Sequence, residues 1–288
     1  MPAPQLHHVQ CLNPSGLHRM AYWSWGDPQN PNGVMCVHGL SRQGRDFDTL
    51  AQQLMGEYRV ICPDVVGRGE SDWLEDPEHY GLQQYAADMV ALLARLNVAQ
   101  VDWVGTSMGG LIGLILAALP DSPVRRLVLN DVGPALEWSA LQRIATYIGR
   151  EMHFPSAAVA TAHLREISPG FGAYSEADWT TRSAPMLRAT PDGVRLHYDP
   201  GIGLALRALT PETAMESELF LWAAYESLRQ PVLLLRGEQS DLLRPETAQR
   251  MALTGPKAQW VNLPEVGHAS LLDRSTHFGP VLEFLRQP

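Results

Sequence analysis

The segment Val104-Gly105-Thr106-Ser107-Met108-Gly109-Gly110 restricts what this chain can fold into more than any other. Residues 101–104 read as a short buried strand, and residues 111–119 form an apolar run long enough for a packed helix. Ser107 therefore falls on a sharp strand-to-helix turn. Such a turn strains the serine backbone, and side chains at Gly105 and Gly109 would collide with the neighbouring strand or helix, so only glycine fits there. The strain lifts the serine oxygen above the sheet. Because a helix begins at this point, the amide of Met108 and the positive end of the helix dipole face the place where an oxyanion would form. This is the nucleophile-elbow pattern G-x-S-x-G. A plain glycine-rich turn carries the same letters, but the flanking strand and helix favour the elbow.

Composition narrows the partners. A chain of 288 residues that is 45% hydrophobic has ample material for a substantial core. Its formal charge of -9, with no run of Lys or Arg, argues against nucleic acid and points to a small molecule. Residues 1–8 lack the apolar core of a signal peptide, and the longest apolar run, 111–119, is too short to cross a bilayer, so a cytoplasmic protein without membrane association is expected. Cys11, Cys36 and Cys62 are odd in number, lie in apparent strands and form no Cys-x-x-Cys pair, which reads as structural thiols. The ten histidines form no metal-binding pattern, and neither metal nor cofactor is expected.

Along the chain, 6–12 and 18–25 predict an antiparallel hairpin around Asn13-Pro14-Ser15-Gly16 at the sheet edge. Residues 33–37 form an apolar strand ending in His38-Gly39-Leu40-Ser41, followed by a helix over 46–55. Residues 58–63 form the next strand, closed by the glycine-punctuated turn 64–71. A helix over 81–96, the elbow, and a strand from 126 to about Asn130-Asp131 follow. Apolar strands alternating with helices imply a parallel sheet covered on both faces. The rhythm breaks after Val132-Gly133-Pro134. Residues 135–227 predict an inserted helical cap with helices near 141–151, 156–167 and 175–187 and no clear buried strand. The sheet resumes at 231–235, passes through Gly237-Glu238-Gln239-Ser240-Asp241, and ends with 258–263, Gly267-His268 and a helix over 276–286. The expected division is thus a core of 1–134 and 228–288 around a cap of 135–227.

Two residues beyond apolar strands, Asp241 and His268, can serve Ser107, because residues distant in sequence converge outside the carboxyl ends of parallel strands. A neutral imidazole removes the serine proton, and a buried carboxylate fixes the imidazole tautomer and stabilises its charge. In this order and setting the chain resembles the α/β-hydrolase family, and the resemblance covers nearly its whole length. It is carried by His38-Gly39, Asp64-x-x-Gly67-x-Gly69-x-Ser71, the Ser107 elbow, Gly237-x-x-Ser240-Asp241 and Gly267-His268. The resemblance implies a mostly parallel eight-stranded sheet with helices on both faces and an inserted cap. It also implies an oxyanion hole from the backbone amides of Leu40 and Met108, with His38 and Gly39 shaping the loop rather than acting as a base. Asp131, at the end of the sixth strand, is a rival acid, since some members draw the carboxylate from there. Asp241 is preferred because its surroundings match the common pattern.

A serine at the elbow disfavours the dehalogenase and epoxide hydrolase chemistries of this fold, which use aspartate: an alkyl-serine ether resists hydrolysis, whereas an acyl-serine ester is opened by water. The expectation is a cofactor-free carboxylesterase for small or medium acyl esters. The alternatives are a carbon-carbon bond hydrolase of vinylogous diketones, a lactonase and, from another class, a ligand receptor on the same fold; the complete Ser107, Asp241, His268 set argues against the last. Trp138, Trp179 and Trp222 are candidates for an apolar acyl pocket, and Arg42 and Arg45 for a substrate carboxylate, each with a plainer role in packing or at the surface. Oligomeric state is left open.

Overall fold

Alternation of buried and exposed residues builds the opening hairpin: β1 (Gln5–Asn13) and β2 (Gly16–Trp25) pair antiparallel from Gln5 opposite Ser24 to Asn13 opposite Gly16. In the computed structural model, which describes residues 3–287, this hairpin forms one edge of an eight-stranded sheet. The next strands are almost wholly buried: β3 (Gly33–Val37), β4 (Arg59–Pro63), β5 (Val101–Thr106) and β6 (Val124–Asn130). After the insertion come β10 (Val232–Gly237) and β11 (Gln259–Leu263), β7 to β9 being the short strands within it, His153–Phe154, Leu187–Thr190 and Gly193–Leu196. The order across the main sheet is β1-β2-β4-β3-β5-β6-β10-β11, parallel throughout except where β2 meets β1 and β4. The two-residue period of a strand sends alternate side chains to opposite faces. Met35, Ile61, Trp103 and Leu127 therefore pack under α2 (Leu82–Leu96) and α3 (Met108–Ala117), while Val34, Val60, Val104 and Val128 pack under α1 (Asp48–Leu54) and the C-terminal helix Ser275–Leu285. The three cysteines are buried and unbridged. Among the described residues no helix is long and apolar enough to cross a membrane.

The insertion between β6 and β10 contains α4 (Trp138–Ala145), α5 (Ala157–Ile167), α6 (Glu176–Ser183), α7 (Leu204–Arg207) and α8 (Pro211–Ser227). It is not wholly helical, as the expectation of a helical cap had it: β7, β9 and β8 form a three-stranded antiparallel sheet. These strands are two to four residues long and mostly half-exposed, so they lack the continuous apolar run that marks a buried strand. Their signal was local, in the turn Thr190-Pro191-Asp192-Gly193 that closes β8 onto β9. The helix expected over 141–151 starts earlier and stops at Ala145.

The elbow has the predicted strain. Ser107 sits at φ 50° and ψ -118°, a conformation that L residues rarely adopt. It is held because α3 lies flush against the sheet: a Cβ on Gly105 would strike the Gly109 backbone, one on Gly109 the Val37 carbonyl, and one on Gly113 the Trp103 indole. Trp103 Nε1 also donates to the Gly109 carbonyl at 2.9 Å. Gly109→Ala should therefore push α3 off β3. The expected loss is about 2 kcal/mol or more of stability, read as a fall in Tm of roughly 3 °C or more for a chain of this size. An unchanged Tm would mean that the helix is not fixed by this contact.

Candidate active site

Parallel register brings the ends of β3, β5 and β6 level. Val37 pairs with Gly105 and Thr106 with Asn130, so the residues that follow, His38, Ser107 and Asp131, emerge side by side at the carboxyl edge. Gly267-His268 arrives from beyond β11. His268 Nε2 lies 2.9 Å from Ser107 Oγ, and His268 Nδ1 lies 2.7 Å from Asp131 Oδ2. Asp131 is fully buried, at φ 54°. Its Oδ1 accepts the Gly237 amide at 2.8 Å and its Oδ2 the Ser240 hydroxyl at 2.6 Å. Every partner of this carboxylate is a donor, so Nδ1 of His268 carries its proton toward Asp131 and Nε2 keeps a lone pair for the Ser107 hydroxyl.

The carboxylate beside His268 is thus Asp131, and the expectation for Asp241 is corrected. After β10 the chain turns tightly, with the Ser240 amide donating to the Gly237 carbonyl at 3.0 Å and the Gln239 amide to the Val266 carbonyl at 2.8 Å. That turn aims Ser240, not Asp241, at the interior. Asp241 is half-exposed and accepts from Arg143 Nε and Nη2 of α4, at 2.9 and 2.6 Å. The signal for Asp131 was its position directly after the uninterrupted strand Leu127-Val128-Leu129-Asn130.

On the other side of Ser107, Met108 is the first residue of α3, so its amide has no intrahelical acceptor. The loop 38–40 comes close: a Cβ on Gly39 would stand 3.7 Å from Ser107 Cβ, and Leu40 borders the same cavities as Ser107. His38 is a support. Its Nε2 accepts the Val65 amide at 2.9 Å, so Nδ1 bears the hydrogen given to the Gly39 carbonyl at 2.7 Å. Burial pushes its pKa down to about 3, and both nitrogens are occupied away from Ser107. Asp64 likewise braces its loop, accepting the Gly44 and Glu70 amides at 2.7 and 2.9 Å, although burial pushes its carboxyl up to about 6.

Two cavities meet at Ser107. One, of about 330 Å³, is mixed in character and lined by His268, Arg42, Arg143, Tyr147, Phe171 and Asp241. The other, of about 430 Å³, is nearly all apolar, with Trp138, Leu136, Leu141, Leu206, Met215 and Leu221 in its wall. Trp138 therefore stands where a pocket residue was expected. Trp179 and Trp222 do not: Trp179 stacks on Phe171 with ring centroids 6.1 Å apart, and Trp222 lies under the Arg250 guanidinium at 3.6 Å, neither bordering a cavity at Ser107. Arg42 lines the mixed cavity in a bidentate pair with Asp46, at 2.7 and 2.6 Å, whereas Arg45 pairs with Asp48 outside both. Elsewhere, Cys11, His18 and Asp88 bring possible metal-binding atoms within 4.8 Å of one another. His18 is committed there by hydrogen bonds to Asp88 at 3.0 Å and Asn13 at 3.1 Å, and burial pushes the Cys11 thiol up to about 12.

A strained serine between a helix start and a buried His-Asp pair, on a mostly parallel sheet, defines the α/β-hydrolase class. The model of the alpha/beta hydrolase family matches residues 34–277, and the chain belongs to that family. It is 51% identical over 271 residues to the 3-hydroxybutyrate-oligomer hydrolase of Cupriavidus necator, covering 93% of this chain and 92% of that one. Among solved structures it resembles an alpha/beta hydrolase of Novosphingobium aromaticivorans, with 33% identity, TM-score 0.86 and 99% of both chains covered. It also resembles a Rickettsia typhi protein designated a hydrolase, with 29% identity, TM-score 0.89 and 99% of both chains covered. The protein is accordingly a hydrolase.

The geometry ranks the two acids. Asp131→Asn should lower turnover by roughly 10³- to 10⁴-fold, by the tautomer argument, while Asp241→Asn stays within about tenfold of the parent. The reverse order in steady-state assays would move the acid to the β10 loop. His38 makes a separate prediction. Its pKa falls from 6.5 in the unfolded chain to about 3 in the fold, so the unfolded state binds the extra proton between these values. Its stabilising contribution is complete above pH 6.5 and is lost as pH falls toward 3, at about 1.4 kcal/mol per pH unit. Denaturant unfolding of His38→Gln between pH 4 and 6 should show a slope against pH shallower by about one proton. Equal slopes in the two proteins would show that His38 does not stay neutral.

Proposed function

We propose that this chain is a serine hydrolase that cleaves carboxylic esters through an acyl-serine intermediate, with linear oligoesters of small hydroxy acids such as 3-hydroxybutyrate as substrates. The observation that carries the reading is the continuous hydrogen-bonded path Ser107–His268–Asp131 at the junction of two cavities. His268 Nε2 takes the Ser107 proton as Oγ adds to the ester carbonyl, and Asp131 stabilises the imidazolium across 2.7 Å. The carbonyl oxygen, now an anion, is met by the amides of Met108 and Leu40. Collapse expels the alcohol, which receives the proton from His268. Water then enters, is deprotonated by the same nitrogen, and releases the acid.

Substrate choice follows from the walls. An oligoester of a hydroxybutyrate carries methyl branches along one side and a polar ester and a free end along its length. The apolar cavity suits the branched acyl part, and Arg42, Arg143 and Gln239 in the mixed cavity suit the oxygen-rich part. The similarity to the Cupriavidus necator oligomer hydrolase over most of both chains supports ester cleavage ahead of carbon-carbon cleavage or lactone opening. The residues 135–227 act in this reading as a cap that closes both cavities.

The test compares methyl-capped 3-hydroxybutyrate dimers and trimers with simple p-nitrophenyl esters, lactones and a ring-cleavage dienoate. The parent should prefer the oligoesters, and Ser107→Ala should melt like the parent, resist fluorophosphonate labelling and lose several orders of magnitude in turnover. Equal labelling of the Ser107→Ala protein, or a dienoate turned over faster than any ester, would sink the proposal.

A further inference from the structure

Arg68 presents an anomaly: its side chain is fully buried, yet each of its partners is neutral. Burying a guanidinium that forms no direct ion pair among the described residues is costly, so a compensating use is expected. Its fork is spread over four groups. Nε donates to the Leu40 carbonyl at 2.8 Å, Nη1 to the Val66 carbonyl at 2.7 Å and the Tyr85 hydroxyl at 2.9 Å, and Nη2 faces Met108 Sδ at 3.6 Å. The rings of Tyr85 and Tyr80 flank it, with centroids 4.9 and 5.9 Å from Cζ. It sits between Gly67 and Gly69, both at positive φ, on the loop braced by Asp64. The residue borders neither cavity at Ser107, so it does not meet substrate.

Two of its four partners are Leu40 and Met108, the residues whose amides hold the oxyanion in the proposed mechanism. We propose that Arg68 is a positioning residue for the oxyanion hole: from behind, it holds the Leu40 carbonyl and the Met108 side chain and so fixes these two residues with their amides converging above Ser107. Among the described residues its charge forms no ion pair in the resting enzyme, and the tetrahedral oxyanion places a negative charge in front of the two amides that it backs. In a water-poor interior that attraction acts with little screening, and it favours the transition state over the neutral ester. The inference rests on the acyl-transfer reading above.

The test uses the full chain with p-nitrophenyl butyrate and with phenylboronic acid, which forms a tetrahedral anion on a nucleophilic serine. Arg68→Met removes the charge at similar volume, and Arg68→Lys keeps it without the fork. The expected result for Arg68→Met is a kcat lower by about 30- to 100-fold, below the cost of deleting an oxyanion donor outright, with KM within about twofold and boronate affinity weakened in parallel with kcat. Arg68→Lys should regain part of the kcat. A kcat for Arg68→Met within twofold of the parent overturns the inference, as does a rise in KM that accounts for the loss while boronate affinity is unchanged. If Arg68→Met gives no cooperative melt, the same two criteria are applied to Arg68→Gln, which also removes the charge. Absence of fluorophosphonate labelling at Ser107 in the parent would remove the acyl-transfer reading itself. Labelling with unaltered Arg68 variants would remove only this inference.

Discussion

The site depends on one backbone residue held in a conformation it would not choose. Ser107 at φ 50° costs of order 1–3 kcal/mol, and the cost is tolerated because contacts on every side over-determine it. Its amide is fixed by the Asn130 carbonyl at 3.0 Å, its carbonyl accepts from the Gly110 amide at 2.8 Å, and α3 cannot relax because Gly109 is already against Val37. Releasing the strain would need the helix to rise off the sheet, exposing Trp103 and its neighbours. The geometry of Ser107 is therefore underwritten by the apolar core between the sheet and the helices α2 and α3.

The polar groups around this centre divide sharply by role. His38 is buried, neutral and bonded at both nitrogens, so it behaves as a rigid spacer between the loop and Val65. His268 has one nitrogen tied to Asp131 and the other open to Ser107. The two histidines thus differ at both nitrogens: Nδ1 donates to the Gly39 carbonyl in one and to the Asp131 carboxylate in the other, and Nε2 faces a backbone donor in one and the Ser107 hydroxyl in the other. Electrostatic preorganisation here consists of such fixed dipoles, assembled before any substrate arrives.

The elbow, the order of strands and the Ser-His pairing were legible in the sequence because each has a short-range physical cause: glycines where a Cβ cannot fit, uninterrupted apolar runs where both faces are covered, a histidine directly after a strand. The acid was not legible to the same degree. Choosing between Asp131 and Asp241 depends on where a three-residue turn after Gly237 points its side chains, and the pattern Gly-x-x-Ser-Asp is compatible with either outcome. The ion pair of Asp241 with Arg143 joins residues 98 apart in sequence, beyond the reach of local reasoning. The small sheet in the insertion escaped for another reason, since strands this short lie on the surface and carry no alternation. Trp179 and Trp222 were misplaced because an aromatic side chain says that it is buried without saying against what.

In the proposed reading, a carboxylate at the end of β6 leaves Asp241 outside the chemistry, while Ser240 beside it still anchors Asp131. Asp131 is anchored by the Gly237 amide at the end of β10 and by the Ser240 hydroxyl of the loop that follows, while Asp241 pairs with Arg143 and ties the same loop to the insertion. One loop thus serves two ends through neighbouring side chains: a change at Asp241 alters the wall of the mixed cavity, while the Ser240 hydroxyl keeps its hold on Asp131.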